Sequence, residues 1–486
     1  MTRLRYATTL SSLLKGRSSL LVLGSQRTVN GSRLARDLPA PLAGSLKRLL
    51  EDLDPGDMGA GSSALCDCEP PRVQLGLLPE KGSRYNSTAR AESLRRLFAG
   101  SGMASQKKGA VLLLVEDLSE ISPWLNAIGR GLPLFSRKTG RKSVSQTLAL
   151  LVLDSKGKVC RVGKESQAIV EATREAARLV DTPPTEMNPN SLAKEARALL
   201  RGIPKVKIRE IKGDALLEAG LGGIHAVGRC ALEAPRLLVA SYDPGRARSQ
   251  HVALVGKGVT YDTGGLNLKI GGSMAGMKGD MGGAAAMLGA FRALASTGCR
   301  QRVTLLLCMA ENAIGASAYK PDDILVMHSG KTVEINNTDA EGRILLADGV
   351  SYAASKLRAD IVIDAATLTG AQLISTGMLH AAIVSNDQRL EDHCVESGRR
   401  SGDLCHPLPF APEFYKSEFS SPVADMRNSV KNRMNAQSAC AAQFVYWHME
   451  DSKAKWCHID MAGPSHHQDR GTGFGVALVA DLVRTL

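Results

Sequence analysis

No apolar run in the chain approaches the roughly 20 residues needed to cross a bilayer, so no membrane-spanning helix is expected. No Cys-x-x-Cys pair occurs among the ten cysteines; they are scattered, and only Cys66 and Cys68 sit close together. That usage fits reduced thiols in a cytosol-like compartment better than a disulfide framework. With no histidine beside them, Cys66 and Cys68 read as loop residues rather than a soft-metal site. There is no GxxxxGK(S/T) or GxGxxG loop to cradle a nucleotide, and no HExxH to hold zinc. All ten histidines, including His458 and the pair His466-His467, are therefore assigned to structure or surface.

What remains is ordinary globular material with an uneven charge. The 486 residues are 44% hydrophobic and 22% charged, enough to bury large cores in two or more domains. The formal net charge is +13, and residues 1–50 carry nine Lys or Arg against one acid, Asp37. The first nineteen residues are rich in Arg, Ser and Thr and free of acids, a composition also found in mitochondrial leaders. A core-strand pattern at residues 18–24 leaves little room for a removable leader. A strand and helix with a solvated basic face is the preferred reading, with a cytoplasmic location. Nucleic acid is a further partner for a basic surface. No aromatic-interleaved basic stripe or reader motif supports it.

Apolar runs alternating with helical stretches predict α/β architecture in both halves. Strands are expected at residues 20–23, 111–115 and 148–153, a helix at 91–98, and a Gly/Ser/Pro-rich connection at 55–63. Residues 165–179 read as a charged amphipathic helix ending at Asp181-Thr182-Pro183-Pro184, where proline stops it. The expected division is residues 1–164 as a non-catalytic N-terminal domain with an oligomer or regulatory role, 165–180 as a linker helix, and 181–486 as the catalytic domain. Within the last, strands are expected at 252–255, 303–308, 332–335, 361–363 and 456–459, with helices at 282–294 and 344–356.

The chemistry sits in two blocks at strand ends, where open α/β sheets place ligands. One contains Lys257, Asp262, Lys269 and Asp280 among glycines; the other is Asn337-Thr338-Asp339-Ala340-Glu341-Gly342-Arg343. Four crowded carboxylates are costly unless cations neutralise them, and all-oxygen sets suit two divalent metals sharing bridging carboxylates. Lys257 is the odd member, since an amine ligates a metal only when neutral. Lys269 would stay protonated and stabilise the oxyanion of a carbonyl under attack. Arg343, at the start of a helix whose free N–H groups attract anions, can hold a small anion that serves as general base. Lys278, between two residues of a glycine-rich loop, reads as a solvated charge.

These blocks resemble those of the leucyl aminopeptidase family, di-metal exopeptidases. Ser329-Gly330-Lys331-Thr332-Val333-Glu334-Ile335-Asn336 and Leu346-Ala347-Asp348-Gly349-Val350 are most similar to its eukaryotic probable aminopeptidase-like branch. Ala366-Thr367-Leu368-Thr369-Gly370-Ala371 and Gly471-Thr472-Gly473-Phe474-Gly475 also look familial. The likeness covers most of residues 165–486; before 165 it is limited to overall organisation.

The resemblance implies a smaller N-terminal α/β domain and a larger catalytic domain with a mixed central sheet flanked by helices. It implies that Lys257, Asp262, Asp280 and Glu341 bind one metal and that Asp262, Asp339 and Glu341 bind the other. Zinc or manganese is expected, with magnesium or cobalt as options. Lys269 would act as electrophile and Arg343 would hold bicarbonate, the general base for a metal-activated water. Met277, Thr367 and Ala462 match positions lining the first-residue pocket, so leucine or a similar apolar residue is the expected substrate terminus. A homohexamer is also implied. Two departures stand out: residues 310–317 differ from the Asn-Met-Pro type of loop in many bacterial and plant relatives, and Pro464-Ser465 differs from the mammalian cytosolic form. The alternative to an enzyme is a non-catalytic nucleic-acid-binding or structural assembly protein on the same fold.

Overall fold

The computed structural model describes residues 2–32, 34–139, 146–245 and 249–486. The chain divides into two compact units, Met1–Arg174 with Arg399–Gly402, and Glu175–Gly398 with Asp403–Leu486. The boundary at Arg174 falls inside the Lys164–Asp181 helix.

The first unit is built on a six-stranded sheet of β1 (Thr2–Tyr6), β2 (Ser19–Ser25), β3 (Ala60–Leu65), β4 (Arg72–Leu78), β5 (Gly109–Val115) and β6 (Gln146–Asp154). The spatial order is β1-β6-β5-β2-β4-β3, and every neighbour pair is parallel except β3 with β4. The apolar runs at 20–23, 111–115 and 148–153 lie within β2, β5 and β6, which are buried on both faces as central parallel strands require. The expected connection at 55–63 is partly wrong: residues 60–65 form the edge strand β3. Its Gly and Ser residues carry no strand signal, and its order comes from six backbone register pairs with β4. At the N terminus, β1 is the other edge strand; Arg3 and Arg5 are exposed while Leu4 and Tyr6 pack against the core. Leu13 and Leu14 of the following Leu10–Leu14 helix are buried.

Strands of the second unit are β7 (Val206–Lys212), β8 (Arg236–Tyr242), β9 (His251–Asp262), β10 (Arg302–Asn312), β11 (Ile324–Val326) and β12 (Thr332–Glu334). They continue as β13 (Ile361–Ala366), β14 (Ala381–Ser385), β15 (Cys405–Pro407), β16 (Met426–Arg427), β17 (Lys455–Asp460), β18 (His466–His467) and β19 (Arg470–Gly471). Eight of these form a mixed sheet in the order β15-β14-β17-β13-β9-β10-β8-β7. Its centre, β17-β13-β9-β10, is parallel, so four chain segments leave the sheet in the same direction.

Helices cover both faces of β9. A Cβ on Gly256 would lie 2.6 Å from Ala284 Cα in the Gly282–Thr297 helix. A Cβ on Gly349, in the Glu341–Ser351 helix, would meet Val255 Cγ1 at 2.6 Å. Successive strand residues point to opposite faces, so these two helices sandwich the strand. The expected helix at 344–356 begins earlier, at Glu341, and residues Tyr352–Lys356 continue it in wider π-type turns. That shift puts Glu341 and Arg343 in its first turn. The other helix runs past residue 294 to Thr297 and ends at Gly298 in the left-handed conformation, a common helix stop. No described helix is long and apolar enough to cross a membrane.

Candidate active site

β9 carries Lys257 and Asp262, the second at its last position. Pairing with β10 is irregular between Ala310 and Asn312, and this sets Asn312 opposite Asp262. Asp280 precedes the Gly282–Thr297 helix, and Glu341 opens the helix on the other face. Asp262, Asp280 and Glu341 each offer an oxygen within 4.8 Å of the others, and all three are buried. Lys257 Nζ lies 2.7 Å from Asp280 Oδ1 and 2.9 Å from Glu341 Oε1. It also donates to Thr367 O at 3.1 Å. Gly342 makes this possible, because a Cβ there would sit 2.5 Å from Lys257 Cε.

Lys269 forms the second half of the cluster, with Nζ 2.9 Å from Asp262 Oδ2 and 2.6 Å from Asp339 Oδ1. Asp339 joins through this lysine, beside rather than within the three-carboxylate group. Arg343 is buried; its Nη1 donates to Asn428 O at 3.1 Å, while Nε has no hydrogen-bond partner. Of the pocket residues, Thr367 donates through Oγ1 to Asp280 Oδ1 at 2.7 Å, and Met277 O accepts Asp280 N at 3.2 Å. Ala462 N donates to Asp460 Oδ1 at 3.3 Å.

Burial dominates the electrostatics of the cluster. Burial pushes Asp280 up to about 6 against the pull of Lys257. Burial and the charge of Asp262 drive Glu341 well above the usual carboxylate range. Burial also opposes the charge of Lys257, yet Asp280, Glu341 and Asp262 together raise its pKa. Burial lowers Arg343 to about 10. With all four carboxylates ionised, two ammonium groups leave excess negative charge, which a buried site relieves either by protonation or by bound cations. Asp280 Oδ2 and Glu341 Oε2 are buried without hydrogen-bond partners. Such oxygens fit hard divalent cations.

Several positioning residues escaped the sequence reading. Asn312 Nδ2 donates to Asp262 Oδ1 at 2.8 Å and to Thr338 O at 3.1 Å. Tyr319, fully buried, donates its hydroxyl to Thr338 O at 2.5 Å. Asn428 Oδ1 accepts Asn336 N and Asn337 N at 2.9 and 3.2 Å, clamping the turn before Asp339. Lys278 is not the solvated charge expected of it, since its Nζ is anchored on Asp181 O at 2.9 Å. No local pattern marks these residues, because each acts on a segment remote in sequence.

Carboxylates and lysines gathered at the parallel strand ends of an α/β fold suit a metal-dependent hydrolase. Residues 174–480 match the catalytic domain of the cytosol aminopeptidase family, and residues 19–141 match M17 aminopeptidase N-terminal domain 2. The chain belongs to the cytosol aminopeptidase (M17) family. Probable aminopeptidase NPEPL1 of Mus musculus is 45% identical over 419 residues, covering 83% of this chain and 78% of that protein. Leucine aminopeptidase 1 of Caenorhabditis elegans is 40% identical over 415 residues, covering 84% and 82%. Among solved structures, the apo leucyl aminopeptidase of Trypanosoma cruzi superposes with a TM-score of 0.91 at 35% identity, covering 99% of this chain and 97% of that one. The Trypanosoma brucei leucyl aminopeptidase in complex with bestatin gives 0.90 at 34% identity, covering 100% and 95%. The chain is therefore a metalloaminopeptidase acting on peptides, and the non-catalytic alternative gives way.

Proposed function

We propose that the chain removes leucine or a similar apolar residue from peptide N termini with two divalent cations, zinc or manganese, magnesium or cobalt being options. Lys257, Asp262, Asp280 and Glu341 would hold one; Asp262, Asp339 and Glu341 would hold the other. The observation that supports this most is the buried trio Asp262, Asp280 and Glu341, with oxygens of Asp280 and Glu341 left without partners. When bound, the cations supply Lewis-acid polarisation of the scissile carbonyl, activation of water and an anchor for the substrate's free amine.

The chain's own groups do the rest. Lys257 would hold a cation through Nζ only as the neutral amine, with its proton passed to solvent. Lys269 keeps its proton: burial opposes the charge, but Asp262 and Asp339 raise its pKa above the ordinary lysine value. From there its Nζ donates to the carbonyl oxygen as negative charge develops. Arg343, with its free Nε inside the first helical turn, is suited to hold bicarbonate as general base. Met277, Thr367 and Ala462 would line the first-residue pocket. A cytoplasmic homohexamer is the assembly we expect, and light scattering on the purified chain tests it.

Metal analysis tests the core of the reading. After manganese loading and desalting, two ions per wild-type chain are expected and one per Asp339→Ala chain. A wild type that retains none, with its fold intact by circular dichroism, would remove the di-metal reading.

A further inference from the structure

Asp460 ends β17 beside Ala366, the last residue of β13, and the two chains leave the sheet together. The segments they enter carry Thr367 and Ala462. Asp460 is 1% exposed, and its carboxylate joins both segments. Oδ1 accepts Leu368 N at 3.1 Å and Ala462 N at 3.3 Å. Oδ2 accepts Thr369 Oγ1 at 2.6 Å.

A second clip runs alongside the first. Gln372 N donates to Thr369 Oγ1 at 3.1 Å, and Gln372 Oε1 accepts Gly463 N at 2.6 Å. Gln372 Nε2 donates to Gly377 O and His380 O at 3.0 and 2.9 Å, holding the segment that follows the Gly370–Ser375 helix. On its other side the turn is tied to the carboxylate cluster, through Thr367 Oγ1 to Asp280 at 2.7 Å and Lys257 to Thr367 O at 3.1 Å. The 367–369 turn is thus held at one end by the candidate metal ligands and at the other by Asp460.

We propose that Asp460 is a positioning residue that sets the separation of Thr367 and Ala462, and through it the enzyme's choice of first residue. The inference rests on the aminopeptidase reading with those two residues lining the pocket. A buried carboxylate that accepts two main-chain N–H groups and one hydroxyl fixes their geometry more tightly than packing does, because leaving any of these donors unpaired is costly. Without that carboxylate the turn can relax away from Ala462. A pocket shaped for a branched side chain then loses more than one occupied by alanine, since discrimination by apolar fit rests on a few close contacts.

The test compares metal-loaded wild type, Asp460→Ala, Asp460→Asn and Thr369→Val on leucyl-, methionyl- and alanyl-fluorophore substrates. Asp460→Ala should lower the leucyl-to-alanyl ratio of kcat/KM by ~10-fold, chiefly through the leucyl KM. Asp460→Asn keeps an acceptor for both N–H groups and should hold the ratio within about twofold of wild type. Thr369→Val removes one hydroxyl and should fall between them, which keeps the test decisive if the alanine variant does not fold. A ratio unchanged in Asp460→Ala, or in Thr369→Val where only that variant folds, would overturn the proposal: equal loss on every substrate is what a smaller folded fraction produces. A wild type silent on all three substrates overturns the aminopeptidase reading and this inference together.

Discussion

Asn312 Nδ2 donates to Asp262 Oδ1 at 2.8 Å, and both residues are buried. Asn312 stands opposite Asp262 because β9 and β10 slip out of simple register after Ala310. The amide fixes which lone pairs of Asp262 remain free, so it orients a carboxylate that has to serve a cation.

Asn312→Leu should therefore weaken metal retention by ~10–100-fold, the usual effect of removing a partner that orients a ligand. Chelator competition at fixed manganese measures it. Retention equal to wild type would mean that Gly264 N and Lys269, at 2.8 and 2.9 Å from the Asp262 carboxylate, orient it without the amide.

Gly342 gives a steric prediction. A Cβ at this position would lie 2.5 Å from Lys257 Cε and 2.6 Å from Nζ. Gly342→Ala should abolish metal-dependent activity while leaving thermal stability within a few degrees, because the atoms the new Cβ meets are the far end of the flexible Lys257 side chain. Activity within twofold of wild type would show that Lys257 can move aside at no cost to the reaction.

Two histidines of the second unit contribute to its acid sensitivity. Burial, with help from Lys331, lowers His448 to about 3; burial, with help from Lys356, lowers His328 to about 4. Both folded values lie below the unfolded value near 6.5, so the fold favours neutral rings. Their contribution is complete above that pH and is lost as pH falls towards the folded values. Between pH 7.5 and 4.5, metal-free wild type should lose about 2 kcal/mol more stability than His448→Gln, read by denaturant titration. Parallel pH profiles would contradict this.

The central strands were legible in the sequence because buried parallel strands write continuous apolar runs, as in β2, β5, β9 and β10. The two site blocks were legible for a different reason: each packs its carboxylates, lysines and glycines into a short local segment. The edge strands β3 and β7 were not. β3 is Gly, Ser and Ala with a single terminal Leu65, and β7 is a half-exposed strand rich in Lys, Arg and Glu; both gain their order from a single neighbour. The helix start at Glu341 was missed because Glu341-Gly342-Arg343 has polar and glycine residues where the apolar pattern had not begun. Asn312, Asn428 and Asp460 act across 50 to 92 residues of sequence, a distance over which no spacing rule operates.

First-residue preference follows from the proposed pocket of Met277, Thr367 and Ala462, which offers no charged group of its own. A panel of aminoacyl-fluorophores should rank leucine and methionine above lysine and glutamate by ~10-fold or more in kcat/KM. Fastest cleavage of acidic or basic residues would contradict the apolar assignment.

The central claim is that the carboxylate and lysine cluster performs metal-dependent aminopeptidase chemistry, and one assay tests it most directly. Leucyl-fluorophore hydrolysis is measured on chelator-stripped wild type, Lys269→Ala and Asp339→Ala, each with and without added Mn²⁺ or Zn²⁺. The account predicts wild-type activity that appears only with metal and falls by ~100-fold or more in both variants. Full activity in either variant, or a folded wild type that hydrolyses the substrate equally well without metal, would contradict it.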